Sequence, residues 1–322
     1  MRLFTSLLCL LVLFSCQSPD TGKEKTSLSN LNWIGFTWKG DSLGKKYFDR
    51  AAIFIPLHLQ NISQNFAAQF DMGANASLIY GNVFKPYLQL YPEYAKKLDT
   101  INAEISIGDE KQGELKDVTV QMDSFKYHYD ILPFFKNYGE SLSADSAKTA
   151  TPKHIGTLGA DMLQNKVLVI DYPNKRLAIL DSLPAAQFAL FDFEPCKIDN
   201  NRIKLPLLVN KQKQWYMFDT GASIFSIVTS PDNWKNICET GKTDTLAIQS
   251  WGRSYNMYGA ATRTDIFLNK TKLPKTTAYK VELPEYLEMF TQEKIAGIVG
   301  NSYFLNSTIA IDFRKSQFGI LR

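Results

Sequence analysis

Two short segments of the chain place an aspartate in nearly the same setting. The first reads FDMGAN at residues 70–75, and the second reads FDTGAS at residues 218–223. In each segment an apolar strand leads into the aspartate, and the glycine that follows favours a tight turn, with the carboxylate at the end of the strand. Asp71 and Asp219 are therefore the first candidates for chemistry.

Two carboxylates that meet can do what neither does alone. If Asp71 and Asp219 lay about 3 Å apart, both could not stay ionised, and they would share one proton. The ionised member could take a proton from a bound water while the protonated member gave one to a carbonyl oxygen. Direct hydrolysis of an amide needs only these two transfers, so the sequence predicts catalysis with no metal and no cofactor.

A further segment is repeated downstream of each aspartate. Residues 155–180 and 296–321 align without a gap at an offset of 141 positions, and each is preceded, before its aspartate, by an apolar run broken by one proline. Such self-similarity indicates a duplicated unit and a pseudo-twofold architecture, which would bring the two aspartates together. The aligned pairs of identical residues include Gly156 with Gly297, Gly159 with Gly300, Asn165 with Asn306, Ile170 with Ile311 and Asp171 with Asp312.

The local pattern predicts a mostly β protein. Short runs rich in β-branched and aromatic residues alternate with Gly, Asn, Asp and Pro turn signals, as in residues 51–59, 167–172 and 308–313. Helical periodicity is weak and is confined to residues 84–98 and 283–292.

The repeated motifs resemble those of the aspartic peptidases of the pepsin and retropepsin type. The resemblance rests on FDMGAN, FDTGAS and two apolar-apolar-Gly segments, TLG at 157–159 and IVG at 298–300, and it covers residues 50–181 and 200–322. It implies an all-β fold of two pseudo-symmetric β-barrel lobes with an active cleft between them. It also implies that Asp71 and Asp219 hold the attacking water in loops completed by Gly73, Thr220 and Gly221.

One residue departs from the pattern of that family. The residue after each aspartate is Thr or Ser in the family, and its hydroxyl bonds to the backbone of the opposite loop. Thr220 can form this bond, whereas Met72 offers only a thioether. Two functions therefore stay open, an aspartic endopeptidase and a catalytically weak or inactive lipoprotein that binds peptides.

The family also places a hairpin flap over the cleft. In the first half the position corresponds to residues 105–120, whose turn is polar. The second-half counterpart, residues 247–262, carries several aromatic side chains between glycines. We predict that Trp251 or Tyr255 covers the substrate; the alternative is an aromatic loop packed on its own lobe.

The N-terminal segment resembles a bacterial lipoprotein signal. Arg2 precedes an apolar run over residues 3–14 that is short for a membrane span, and a small residue precedes Cys16, the expected site of lipidation. An ordinary secretory signal is the alternative. We predict a chain anchored in the bacterial cell envelope, at the outer membrane and facing the periplasm or the surface. The predicted division is signal 1–16, tether 17–44, first lobe 45–181, linker 182–194 and second lobe 195–322.

Composition and spacing argue against several other classes of function. The net charge of +4 is spread along the chain without a basic block, so nucleic acid is not an expected partner. The three histidines lack zinc-site spacing, and no Gly-x-Ser-x-Gly turn or phosphate-binding glycine loop occurs. The expected partners are a peptide or protein substrate and the membrane, with the protein itself a monomer. Cys196 and Cys238 could form a disulfide or remain free thiols.

Overall fold

The structure, a computed structural model, describes residues 27–107, 109–239, 241, 243–250 and 253–322. Cys16, the signal segment and Trp251 therefore lie outside the described residues. The chain is mostly β, as the patterning predicts, and both predicted helical regions are helical. The helices are α1 Gly81–Leu90, α2 Pro92–Lys97, α3 Ala144–Ala147, α4 Ala185–Phe188, α5 Pro231–Ile237 and α6 Pro284–Gln292, with 3-10 turns at Ala160–Leu163 and Asn301–Tyr303.

The strands divide between the two halves of the chain. Those of the first half are β1 Ile34–Gly35, β2 Thr37–Leu43, β3 Lys46–Leu59, β4 Phe66–Phe70, β5 Leu78–Tyr80, β6 Leu98–Asp99, β7 Ser106–Ile107, β8 Glu110–Lys111, β9 Gly113–Met122, β10 Phe125–Phe135, β11 Lys153–Leu158, β12 Val167–Asp171 and β13 Arg176–Leu180. Those of the second half are β14 Phe191–Pro195, β15 Lys197–Asp199, β16 Arg202–Val209, β17 Gln212–Phe218, β18 Ile227–Thr229, β19 Asp244–Ser250, β20 Arg253–Ala261, β21 Ile266–Leu268, β22 Thr271–Lys272, β23 Thr277–Lys280, β24 Gly297–Val299, β25 Thr308–Asp312 and β26 Gln317–Leu321.

The two halves repeat one local strand arrangement. In the first half, β11 lies between β4, to which it is parallel, and β5, to which it is antiparallel. In the second half, β24 lies between β17 and β18 with the same two directions. The strand outside each trio, β10 or β23, is parallel to its neighbour. The duplicated sequence therefore folds into a duplicated pairing pattern.

The outer strands of the two halves differ. In the first half, pairing runs from β3 through β4, β11, β5, β10 and β9, and a β3–β9 pairing at Leu59 and Val120 completes the cycle. In the second half the described pairings form a path from β19 to β22, with β15 as a branch on β16.

A six-stranded sheet joins the halves through β12 and β25. Val169 pairs with Ala310, which is also its counterpart at the 141-residue offset of the repeat. The flanking pairs, Leu168 with Ile311 and Ile170 with Ile309, are symmetric about this one. The local twofold of the antiparallel pair thus coincides with the pseudo-twofold relation of the repeat. All these residues are fully buried in the core.

The structure corrects two predicted boundaries and decides the state of the cysteines. Strands β1 and β2 lie within the predicted tether 17–44, because their pairing with β13 and β3 supplies backbone hydrogen bonds that a tether would lack. The predicted linker 182–194 also contains the start of β14, which pairs with β26. Cys196 and Cys238 are free and buried.

Candidate active site

Each candidate aspartate stands at the end of an equivalent strand. Asp71 follows β4, and its amide donates to the Leu158 carbonyl of β11 at 3.0 Å. Asp219 follows β17, and its amide donates to the Val299 carbonyl of β24 at 2.9 Å. The parallel neighbour in each trio therefore fixes the backbone from which the carboxylate projects.

The structure brings the two aspartates together, with each carboxyl group against the glycine of the opposite loop. A Cβ added to Gly73 would lie 2.5 Å from the Asp219 carboxyl carbon, and one added to Gly221 would lie 2.5 Å from an Asp71 carboxyl oxygen. Only glycine permits such close approach. The two carboxyl groups thus share one site, where two negative charges would repel each other.

Backbone amides orient both carboxylates. Asp71 Oδ1 accepts from the amides of Gly73 at 2.9 Å and Ala74 at 3.3 Å. Asp219 Oδ1 accepts from the Gly221 amide at 2.7 Å. The tight turn after each aspartate thus points its amides back at the carboxylate, as the Asp-x-Gly sequence predicts.

The environment raises the pKa of both aspartates. Burial disfavours the charged form and raises the pKa of Asp71 above its ordinary value of 3.8. Burial raises the pKa of Asp219 well above that value, and the neighbouring Asp71 charge raises it further. Both residues nevertheless stay half-buried rather than sealed, so solvent reaches the pair. A pair with these properties retains one proton where ordinary carboxylates have lost theirs.

Thr220 connects the two loops, whereas Met72 contributes no side-chain hydrogen bond. The Thr220 hydroxyl accepts from the Met72 amide at 2.9 Å and donates to the Phe70 carbonyl at 2.8 Å. Met72 occupies the equivalent position, fully buried in the main apolar cluster. Its thioether cannot donate a hydrogen bond.

The apolar-Gly segments pack directly beneath the aspartate loops. A Cβ on Gly159 would lie 2.6 Å from the Ala76 carbonyl carbon, and one on Gly300 would lie 2.1 Å from the Ala222 carbonyl oxygen. Each glycine is thus required for contact between segment and loop.

Polar side chains that sequence reasoning missed tie these segments to the loops. Ser77 donates to Asp161 at 2.7 Å and accepts from the Gly159 amide at 2.9 Å. Asn301 donates to the Thr220 carbonyl at 3.0 Å and to the Ser223 hydroxyl at 2.9 Å. Asp161 and Asn301 lie inside the aligned repeat, and Ser77 and Ser223 lie beside or in the two Asp-x-Gly segments, so these duplicated segments are the signal that could have found them.

A turn of the second half also holds the Asp71 loop, again missed in the sequence. Asn201 Nδ2 donates to the Asn75 carbonyl at 3.0 Å, and Arg202 Nε donates to the Gly73 carbonyl at 3.5 Å. Arg202 in turn forms an ion pair with Glu293. The loop with Met72 therefore gains backbone-directed bonds from the opposite half that do not depend on a hydroxyl at position 72.

The predicted substrate-covering residues have different outcomes. Tyr255 lies in β20, half-buried, where its hydroxyl donates to the Tyr286 hydroxyl at 3.1 Å and its ring packs with the second-half apolar cluster. These contacts fit the alternative of a loop packed on its own half, and substrate covering by Tyr255 stays a prediction. The first-half candidate, residues 105–120, contains the small β7–β8 hairpin and most of β9, which pairs with β10.

The described residues contain neither a metal-binding cluster of side chains nor a membrane-spanning helix. No group of three or more His, Cys, Asp or Glu side chains in this part of the chain is placed to hold a metal ion. Of the helices between residues 27 and 322 that the structure describes, none is long and apolar enough to cross a bilayer.

Neither a protein-family model nor a curated protein sequence matches this chain.

Proposed function

We propose that the protein is an aspartic endopeptidase that hydrolyses peptide bonds with the Asp71/Asp219 pair. The observation that carries the proposal is the meeting of two half-buried carboxyl groups in one site, contributed by equivalent loops and each packed on the opposite glycine. A buried carboxyl pair is costly unless it shares a proton, and a shared proton supplies an acid and a base in one site.

The reaction follows from that shared proton. The ionised carboxylate takes a proton from a water held between the two groups, and the water oxygen attacks the peptide carbonyl carbon. The protonated carboxyl gives its proton to the carbonyl oxygen, which forms a neutral gem-diol. When the diol collapses, the carboxyl that took the water proton gives it to the nitrogen and the C–N bond breaks. The other carboxylate takes a proton from a diol hydroxyl, which restores the starting state of the pair. Both aspartates are needed in every cycle.

The finer architecture belongs to the same proposal. We assign the two halves to pseudo-symmetric β-barrel lobes of the pepsin and retropepsin type, with the cleft at the aspartate loops. The repeated strand trios and the closed cycle of pairings in the first half support this assignment. Export, lipidation of Cys16, attachment to the bacterial cell envelope and action as a monomer on peptides or proteins are parts of the same proposal that rest on the sequence.

Met72 favours a second candidate function. With one cross-loop hydroxyl missing, the pair could be held too loosely for turnover, and the cleft would then bind extended peptides without cutting them. The carboxylates and their amide donors are both retained, which supports catalysis as the first proposal.

Cleavage of a mixed peptide library across pH, by the protein without its signal segment, tests the two candidates. Asp71→Asn and Asp219→Asn should each lower turnover by at least 10³-fold while leaving the fold intact, because one carboxyl cannot serve as acid and base together. Asp145→Asn, an exposed carboxylate on α3, is the matched control. Tight peptide binding without cleavage would select the second candidate. Substantial activity in either dyad variant would overturn the first.

A further inference from the structure

A long hairpin of the first half extends past the aspartate pair. Strand β3 pairs with β4 through Phe54 and Gln69, so Ile53 is level with Phe70, the last residue before Asp71. Strand β3 nevertheless begins at Lys46, and its residues 46–52 continue beyond the end of β4. The β2 side of this extension, residues 39–43, spans roughly 16 Å at about 3.3 Å per residue. The extension pairs with β2 at Ala52 and at residues 46–48, so residues 37–52 form a hairpin arm.

The β2–β3 ladder contains a bulge opposite Gly40. Lys39 pairs with Ala52 and Asp41 pairs with Phe48, so three residues of β3, 49–51, lie opposite this one glycine. A Cβ there would lie 2.0 Å from the Tyr47 hydroxyl, so the Tyr47 ring covers the glycine directly. Bulges bend a strand and increase its twist, so we expect β3 to change direction at residues 49–51.

The tip of the arm rests on the second half. Lys46 Nζ lies 2.5 Å from Asp244 Oδ2 in β19, and the Tyr279 hydroxyl donates to the same oxygen at 2.9 Å. Leu43 and Phe48 pack against the second-half apolar cluster, which Ala222 and Ile224 of the Asp219 loop also join. The arm therefore runs from the Asp71 side to the Asp219 side, beyond the level of the pair.

We propose that the hairpin arm, residues 37–52, is an end wall of the cleft that limits how many substrate residues extend on one side of the cleaved bond. The inference rests on the proposed peptidase function. An extended peptide lying across the pair meets the arm where it crosses from one half to the other. The substrate class is then peptides with a free terminus near the cleaved bond, rather than internal segments of long chains.

The arm can be shortened at a defined pair. Asp41 faces Phe48 across the hairpin, so the dipeptide Asn-Gly in place of residues 42–47 closes a two-residue turn and removes Leu43 and Lys46. Leu43→Ser keeps the length of the arm but weakens its apolar contact, and it serves as the second variant. Lys45→Ala is the matched control, because among the described residues Lys45 has no ion pair while its neighbour Lys46 has one.

Peptides lengthened one residue at a time, on either side of a cleaved bond, test the wall. We expect kcat/KM of the unaltered protein to fall at least tenfold beyond a set length on one side only. Shortening the arm should remove at least most of this decrease in kcat/KM. Leu43→Ser should make the decrease smaller, and Lys45→Ala should leave the decrease unchanged. Equal tolerance of both extensions in the unaltered protein, or a limit that survives shortening in a folded variant, would overturn the inference.

A binding series separates this inference from the proposed function. The same lengths are made as uncleavable peptides with a hydroxyethylene group in place of the cleaved amide, and their dissociation constants are measured by calorimetry. If the protein cuts nothing but binds these peptides with a one-sided length limit that shortening removes, the peptidase proposal fails and the wall stands. If binding shows no limit, or no binding occurs, the wall is rejected.

Discussion

The Thr220 hydroxyl forms two hydrogen bonds to the opposite aspartate loop, whereas the Met72 thioether cannot form the equivalent bonds to the Asp219 loop. The Thr220 hydroxyl accepts from the Met72 amide and donates to the Phe70 carbonyl, at 2.9 and 2.8 Å. Met72 occupies the position equivalent to Thr220, where a second hydroxyl would form the reciprocal hydrogen bonds to the Asp219 loop. The connection between the loops is therefore one-sided within a duplicated strand arrangement, and this asymmetry can be tested from either residue.

Removing the Thr220 hydroxyl should loosen the pair. Thr220→Val keeps the side-chain shape but leaves the Met72 amide and the Phe70 carbonyl buried without this partner, at a cost of about 2–4 kcal/mol in the free energy of unfolding. Turnover should fall with it, because the Asp71 loop loses its anchor. Thr220→Ser keeps the hydroxyl, so its free energy of unfolding should stay within about 1 kcal/mol of that of the unaltered protein. Urea unfolding and peptide turnover measure both effects, and a fully active Thr220→Val would contradict the role assigned to the hydroxyl.

Supplying the missing hydroxyl should separate activity from stability. Met72→Thr permits a hydrogen bond from position 72 to the second loop, so turnover should rise. Met72 is fully buried among apolar side chains, however, and the smaller residue leaves a void that costs about 1–3 kcal/mol. Met72→Leu keeps the volume without a hydroxyl and should change neither property much. Turnover of Met72→Thr at or below that of Met72→Leu would show that Met72 is a packing residue only.

The raised pKa values of the pair predict the pH dependence of stability. A carboxyl whose pKa rises above 3.8 on folding contributes stability below that pH, and the contribution is lost as pH rises through the folded-state pKa. Asn carries no such charge. The melting temperature of Asp71→Asn and of Asp219→Asn, relative to the unaltered protein, should therefore increase from pH 4 to pH 8. A decrease in either dyad variant would argue against the raised pKa values.

The Asn201 side chain should restrain the Asp71 loop independently of Thr220. Asn201 has a φ of 61°, which glycine adopts readily, so Asn201→Gly removes the bond to the Asn75 carbonyl without backbone strain. We expect faster amide hydrogen exchange over residues 71–76 and a several-fold drop in turnover. The free energy of unfolding should fall by about 1 kcal/mol. Asn200→Gly is the matched control in the same turn, with a φ of 48°. Equal effects of both variants would assign the change to turn flexibility instead.

Chain-local signals determined much of the candidate site. The Asp-x-Gly turns, the glycines at matching offsets and the alternation of the strands depend on neighbours along the sequence, so a reader of the sequence could locate Asp71, Asp219 and the mostly β class. The carboxylate-to-amide bonds of each turn follow from the same short range.

Tertiary structure decided what depends on distant partners. Val169 opposite Ala310 fixes how the halves face each other, and that register is set by packing between strands far apart in the chain. Asn201 bonds to the Asn75 carbonyl because the two halves lie side by side. Residues 37–52 form strands because β2 and β3 pair there, which their polar composition does not predict. Such contacts depend on burial and hydrogen-bond satisfaction summed over both halves, which no single segment encodes.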